Sequence, residues 1–246
     1  MNVLALQWNL AWEDKPKNFE IVERLTADAR PAPGTLIVLP EMFATGFSMN
    51  HAITNESDDG PTREFLTKLA KKYDCALLGG RVCDGKNEAL AISPDGNTLA
   101  RYAKIKPFRF GGEDYDAGAE PTIFEWGGAT VSPFVCYDLR FPEVLREAAR
   151  RWQPEVFVVI ASWPEMRISH WLALLRARAI ENQAFVLGVN RTGTDPFHRH
   201  TGRTALFDHS GEPLLDAGET EAALAATLDL PALREYRVRL PFLGDL

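Results

Sequence analysis

The sequence predicts a single α/β domain spanning residues 1–246. Three observations carry that expectation. Short apolar runs, mostly β-branched or aliphatic, alternate with amphipathic helical stretches from one end of the chain to the other. No repeat, low-complexity tract or linker-like change of composition interrupts them. The composition, 46% hydrophobic and 25% charged, is ordinary for a globular chain and sufficient to bury a sizeable core.

The elements follow in order. Val3–Trp8 reads as a first strand. Asp14 and Pro16 then supply a cap and a first-turn proline for a helix with Phe19, Val22, Leu25 and Ala29 on one face. Thr35–Leu39 is a buried strand, and Gly60-Pro61 opens a second helix that buries Phe65, Leu69 and Tyr73. Cys75–Arg81 is a further strand, after which Ala89–Ser93 and Asn97–Ala103 form a hairpin around Pro94-Asp-Gly96. The Trp126-Gly-Gly128 turn leads into the strand Val131–Cys136, followed by the helical stretch Glu143–Trp152. Val156–Ala161 and Ala184–Asn190 are strands on either side of a helix, Trp171–Gln183, that carries Leu174, Leu175 and Ile180. A last hairpin turn falls at His209–Pro213.

A net charge of −7 and a pI near 5.3 argue against nucleic acid or an anionic membrane as partner. Runs such as Val156–Ala161 are too short to span a bilayer, and the first strand begins too soon after Met1 for a leader's charged and apolar regions. A cytoplasmic location is the expectation. Cys75, Cys83 and Cys136 form neither an even disulfide framework nor a C-x-x-C pair, so structural zinc is not expected.

Three segments are candidates for chemistry. Glu41 is the first polar side chain after the apolar strand Leu36-Ile-Val-Leu-Pro40, where a cleft of low dielectric favours proton transfer; a capping or salt-bridged loop residue would look the same. Cys136 sits between a strand end and a helix start, near unpaired N–H groups able to stabilise a thiolate or an oxyanion. A buried, inert cysteine is the commoner fate, and Cys75 and Cys83 fit it better. Lys104 and Lys106 share one face of an extended segment, as lysines on a solvated edge strand also would.

Taken together these segments resemble the nitrilase, or carbon–nitrogen hydrolase, superfamily. Leu39-Pro-Glu41-Met-Phe is similar to its glutamate motif, Tyr102-x-Lys104-x-x-x-Phe108 to its lysine motif and Cys136-Tyr-Asp-Leu-Arg-Phe-Pro142 to its cysteine motif. The stretches Trp171–Gln183, Val189-Asn190 and Tyr236–Phe242 extend the likeness over nearly the whole chain. Glu41-Met-Phe-x-x-Gly-Phe47, Phe108–Glu113 and Ser162-Trp-Pro164 look most like the omega-amidase branch. One departure is the usual Lys-x-His, which here is Lys104-Ile-Lys106; the register from Tyr102 favours Lys104 as the catalytic lysine, with Lys106 the lesser alternative.

The resemblance implies a four-layer α-β-β-α sandwich, a homodimer or larger, and a catalytic trio of Glu41, Lys104 and Cys136 that needs no metal or organic cofactor. Dimer contacts would involve the helix after Cys136 and the Trp171–Gln183 helix. Glu113 is implied as a second glutamate orienting the lysine, and the Tyr137 N–H as an oxyanion donor. The implied substrate is a small amide with a carboxylate at its far end, similar to 2-oxoglutaramate. For that carboxylate Arg109 is the first candidate, against an aromatic wall from Phe108, with Trp163 closing the pocket. Arg140 is expected instead to pair with Glu143 or Glu41.

The trio alone does not choose among amidases, nitrilases and carbamoylases. Two other classes stay open: a Cys–His hydrolase using one of His51, His170, His198, His200 or His209, and a non-catalytic binding module on the same fold.

Overall fold

The computed structural model describes residues 1–246. The chain begins with β1 (Asn2–Gln7), α1 (Lys15–Ala29), β2 (Leu36–Val38), α2 (His51–Thr54), β3 (Asn55–Glu56), α3 (Pro61–Tyr73), β4 (Ala76–Cys83), β5 (Lys86–Ile92) and β6 (Thr98–Ala103). The second half contains β7 (Phe124–Trp126), β8 (Ala129–Val135), α4 (Pro142–Trp152), β9 (Val156–Ile160), α5 (Ile168–Asn182) and β10 (Phe185–Val189). It closes with β11 (Thr192–Thr194), β12 (Arg199–Thr201), β13 (Ala205–Phe207), β14 (Pro213–Asp216), β15 (Ala222–Thr227) and α6 (Leu230–Arg239).

Proline in the first turn starts α1, α3, α4 and α6, where a missing N–H costs nothing. Asp14 adds the cap for α1, its carboxylate accepting the Lys17 N–H at 3.0 Å. The ladder of β2 stops early because Pro40 has no N–H to give, although Leu39 still donates to the Leu78 carbonyl at 2.8 Å. Helix α5 begins three residues before the predicted Trp171, fed by a 3-10 turn at Glu165–Arg167, and its Ile180 faces outward.

Two large sheets form, in the order β15-β1-β2-β4-β5-β6 (with β3 beside β4) and β14-β13-β10-β9-β8-β7, and β11 and β12 pair as a separate two-stranded ribbon. Each has a parallel centre, β1-β2-β4 and β8-β9-β10, with antiparallel strands on both flanks. Side-chain alternation in the first sheet sorts the layers. Val3, Ala5, Leu36, Val38, Ala89 and Ala91 face the second sheet, while Leu4, Leu6, Ile37, Leu77, Leu90 and Ile92 meet α1 and α3. Beyond the second sheet lie α4, burying Val144, Leu145, Ala148 and Ala149, and α5, burying Trp171, Leu175 and Ala179. This is the four-layer α-β-β-α sandwich. Burying a Val, Leu or Ile contributes about 1.5–3 kcal/mol, so apolar layers on both faces hold the register against a one-residue slip.

The parallel centres matter for function because β2, β8, β9 and β10 all end on one side, delivering Glu41, Cys136, Ser162 and Asn190 just past their carboxyl ends. Gly80 of β4 lets the Glu41 turn sit against the sheet: a Cβ there would lie 2.5 Å from Met42 N and 2.6 Å from Glu41 Cα. Gly80→Ala is therefore expected to cost about 1–3 kcal/mol through overpacking and to dislodge Glu41. Thermal unfolding and activity check this together; an unchanged Tm with full activity would mean that the turn yields freely.

Candidate active site

Glu41, Lys104 and Glu113 form a buried charge cluster, none more than 1% exposed. The Lys104 Nζ donates to Glu41 Oε1 at 2.9 Å and to Glu113 Oε2 at 2.7 Å. The Asn87 Nδ2 bridges the same two carboxylates, at 2.8 and 2.9 Å. Ser162 N–H donates to Glu41 Oε2 at 2.8 Å, and Phe108 N–H donates to Glu113. Burial pulls the Lys104 ammonium down, but the charges of Glu41 and then Glu113 outweigh it and hold the group above its ordinary value. The lysine is thus a fixed cation, and two of its three N–H donors are committed to carboxylates.

Cys136 opens a 3-10 turn, Cys136–Arg140, directly off β8, and its φ of +46° is a left-handed conformation that costs a non-glycine residue about 1–3 kcal/mol. Asp138 holds the turn in place. Its buried carboxylate accepts from Val135 N–H at 3.2 Å, Lys106 N–H at 2.8 Å and Tyr102 OH at 2.8 Å, tying the cysteine turn to the end of the lysine strand. Burial pushes Asp138 up to about 7 even against the Lys104 charge and these donors.

The Cys136 thiol lies against Glu41, with the Ser162 N–H and Lys104 nearby. Burial first, and the Glu41 charge second, push it well above its ordinary value; Lys104 opposes them without prevailing. The unpaired N–H groups at this strand end would by themselves favour a thiolate. The nearer carboxylate reverses that, and leaves a protonated thiol beside an acceptor. The Tyr137 N–H, at the start of the turn, has no acceptor within it and is free for an incoming oxygen.

Glu41, Lys104 and Cys136 sit in the wall of a cavity of about 1130 Å³, also lined by Phe108, Tyr137 and Trp163. Lys106 stays outside it, half-buried, its Nζ 5.1 Å from the Phe141 ring and 3.9 Å from Glu143. Arg109 is outside too: it is exposed, and its guanidinium donates to the Glu113 carbonyl at 2.8 Å. The backbone turns sharply at Arg109–Gly111, carrying this side chain off the wall that Phe108 keeps. Arg140 does line the cavity and pairs with neither Glu143 nor Glu41; its guanidinium stacks on Trp163, 4.6 Å from the ring centre. Both arginine expectations are thereby corrected.

Asn87 and Asp138 were not singled out from the sequence. An asparagine entering a strand and an aspartate inside an already assigned motif carry no local mark of the long-range bonds they make. No histidine is hydrogen-bonded to Cys136, Glu41 or Lys104: His200 is engaged by Asp195 at 2.8 Å and His51 by Asp114 at 2.9 Å. No group of three or more His, Cys, Asp and Glu side chains is arranged to hold a metal ion. No helix is long and apolar enough to cross a membrane.

The three thiols differ in access. Cys75 and Cys83 are fully buried, and burial raises both, Cys83 to about 11, whereas Cys136 is half-buried and opens onto the cavity. Native protein treated with iodoacetamide at neutral pH is expected to take up one equivalent, at Cys136. Peptide mapping checks this, and equal labelling of Cys75 or Cys83 would refute it.

Known proteins share this architecture and sequence. The carbon-nitrogen hydrolase family model matches residues 3–238. The omega-amidase YafV of Yersinia enterocolitica is 39% identical over 254 aligned residues, covering 100% of this chain and 96% of that protein. The 2-oxoglutaramate amidase of Bacillus subtilis is 30% identical, covering 99% and 96%. Among solved structures, XC1258 of Xanthomonas campestris, a CN-hydrolase superfamily protein with an arsenic adduct in its active site, superposes with a TM-score of 0.92 at 33% identity, covering 100% and 97%. A match of the family model to almost the entire chain, on the sandwich described above, establishes that this chain belongs to the carbon–nitrogen hydrolase family and is a hydrolase of non-peptide carbon–nitrogen bonds.

Proposed function

We propose that the chain is an omega-amidase, releasing ammonia from the terminal amide of a small dicarboxylic monoamide such as 2-oxoglutaramate through a thioester on Cys136. The observation that carries the proposal is the Cys136 thiol set against Glu41 in the cavity wall, with Lys104 fixed between two buried carboxylates beside it. The names of the Yersinia and Bacillus relatives support the substrate class.

In this mechanism Glu41 takes the thiol proton as sulfur attacks the amide carbonyl. The third Lys104 N–H and the Tyr137 N–H receive the tetrahedral oxyanion. Glu41 returns its proton to the departing nitrogen, ammonia leaves and a thioester remains. Glu41 then draws a proton from the water that attacks the thioester; collapse breaks the C–S bond, and the departing Cys136 thiolate takes that proton back from Glu41 as the acid is released. Glu113 and Asn87 hold the ammonium and the Glu41 carboxylate in register throughout.

Ammonia release from 2-oxoglutaramate, butyramide, an aliphatic nitrile and an N-carbamoyl amino acid, run side by side, tests the substrate class. The monoamide acid is expected to give the highest kcat/KM by at least tenfold, and preference for any other member would overturn the assignment. A mass increase on Cys136 matching the acyl group, trapped by acid quench, tests the thioester; its absence during turnover would refute the thioester, whereas no turnover of any of the four compounds would favour the non-catalytic module. The proposed form is a cytoplasmic homodimer, a setting in which three free thiols persist. Exposed Trp152, Ile180, Val238 and Phe242 at the ends of α4, α5 and α6 support the association. Sedimentation at micromolar concentration would refute the dimer by returning a monomer mass.

A further inference from the structure

We infer that Arg140 and Arg167 together form the carboxylate-binding end of the cavity, an inference that rests on the omega-amidase reading for the identity of the substrate but not for the site itself. Three side chains bearing a lysine or arginine charge line the cavity: Lys104, Arg140 and Arg167. Lys104 has two carboxylates at hydrogen-bond distance. Arg140 and Arg167 have no carboxylate within 4.0 Å, whereas the buried or half-buried arginines Arg63, Arg81, Arg146, Arg178, Arg191 and Arg203 each have one, and Arg237 is held instead by the carbonyls of Gln183, Gln153 and Pro154. Two guanidiniums side by side in one wall repel each other, and an anion placed between them relieves the repulsion.

Their surroundings orient them rather than neutralise them. The Arg140 guanidinium stacks on Trp163 at 4.6 Å, and that of Arg167 lies over Phe108 at 5.5 Å from the ring centre. The Trp163 Nε1–H donates to the Arg167 carbonyl at 2.8 Å, so one indole positions both arginines. The Phe108 ring packs in turn against Tyr137 at 4.8 Å, next to the nucleophile. The remaining polar contacts of the guanidiniums are weak, 3.4 Å from Arg140 to His170 Nδ1 and 3.2 Å from Arg167 to the Met166 sulfur. Burial, and the Arg167 charge next, lower Arg140 from its ordinary value, as expected of a cation waiting for a counter-ion.

Cys136 and Arg140 lie in one short 3-10 turn and line the same cavity, so a small molecule there can present an amide to the thiol and a carboxylate to the guanidinium. Guanidinium forks bind carboxylates bidentately, and two of them on aromatic supports make a directional clamp. Arg167 comes from the turn before α5 and Arg140 from the turn after β8, so the clamp joins two elements that no sequence motif links.

The test uses 2-oxopentanoate, which has the carboxylate end and no amide, titrated calorimetrically into wild type, Arg140→Gln, Arg167→Gln and the double variant. Each single change is expected to raise Kd at least tenfold and the double change at least a hundredfold, with Arg→Lys variants in between because they keep the charge and lose the fork. Thermal unfolding of every variant separates a lost site from a lost fold. Failure of wild type to bind, or an unchanged Kd in the double variant, would overturn the clamp. In parallel, the ratio of kcat/KM for 2-oxoglutaramate to that for butyramide is expected to fall at least tenfold in each Gln variant. If the clamp binds 2-oxopentanoate while wild type prefers butyramide, the omega-amidase reading fails and the clamp stands. If wild type prefers 2-oxoglutaramate and the ratio survives the double change, the clamp fails and the reading stands.

Discussion

Lys104→Met is expected to reduce acylation by at least ~10²–10³-fold, the usual cost of one oxyanion donor. It should also destabilise the fold by about 3–5 kcal/mol, because Glu41 and Glu113 would be left buried without their cation. Single-turnover ammonia release and denaturant unfolding measure the two effects separately. The sign of the pH dependence follows from Lys104 being held above its ordinary value: the wild-type contribution is complete below about pH 10 and is lost only as the pH rises through the folded value. Lys106→Met is the contrast. That side chain is half-buried outside the cavity, and its 3.9 Å pairing with Glu143 is worth at most about 1 kcal/mol. If Lys106→Met were the inactive variant and Lys104→Met the active one, the assignment of the lysine would be wrong.

Glu41→Gln should lower kcat/KM by about 10²–10⁴-fold, since the carboxamide can still accept the Ser162 N–H but cannot take the thiol proton. The same change removes a negative charge that pushes Cys136 upward, so the thiol should become more acidic as the enzyme becomes less active. The pH profile of Cys136 alkylation reads this directly: its midpoint should move down in the variant. A midpoint that stays put or rises would place the carboxylate out of contact with the thiol and remove Glu41 as the base.

Much of this site was legible because its three central residues end strands. Glu41 follows an apolar run and Cys136 separates a strand from a helix, and both patterns survive in one dimension. Lys104 was harder, since Lys106 has the same alternation; what separates them is that Lys104 meets carboxylates from two other segments. Arg109 and Arg140 were misread for a related reason. Proximity in sequence to Phe108 made Arg109 look like a pocket residue, whereas the turn at Arg109–Gly111 swings it away. The aromatic partner that fixes Arg140, Trp163, is 23 positions further along and reaches it only through the packing of β9 beside β8. Strand β15 escaped notice because its alanine-rich run alternates only between exposed and half-exposed positions and shows no hydrophobic face. Its place is set by β1, which pairs with it residue for residue.

That pairing has a consequence for biosynthesis. Asn2 aligns with Thr227 and Gln7 with Ala222, and the Met1 backbone carbonyl accepts the Leu228 N–H at 2.8 Å. The edge of β1 therefore stays open until β15, more than two hundred residues further along, has emerged from the ribosome. Meanwhile an apolar strand with unpaired backbone groups is available to the wrong partner, and loop closure over more than two hundred residues slows its capture. Nascent chains stalled before Ala222 should be the aggregation-prone species of this protein, and emergence of β15 the step that seals the first sheet.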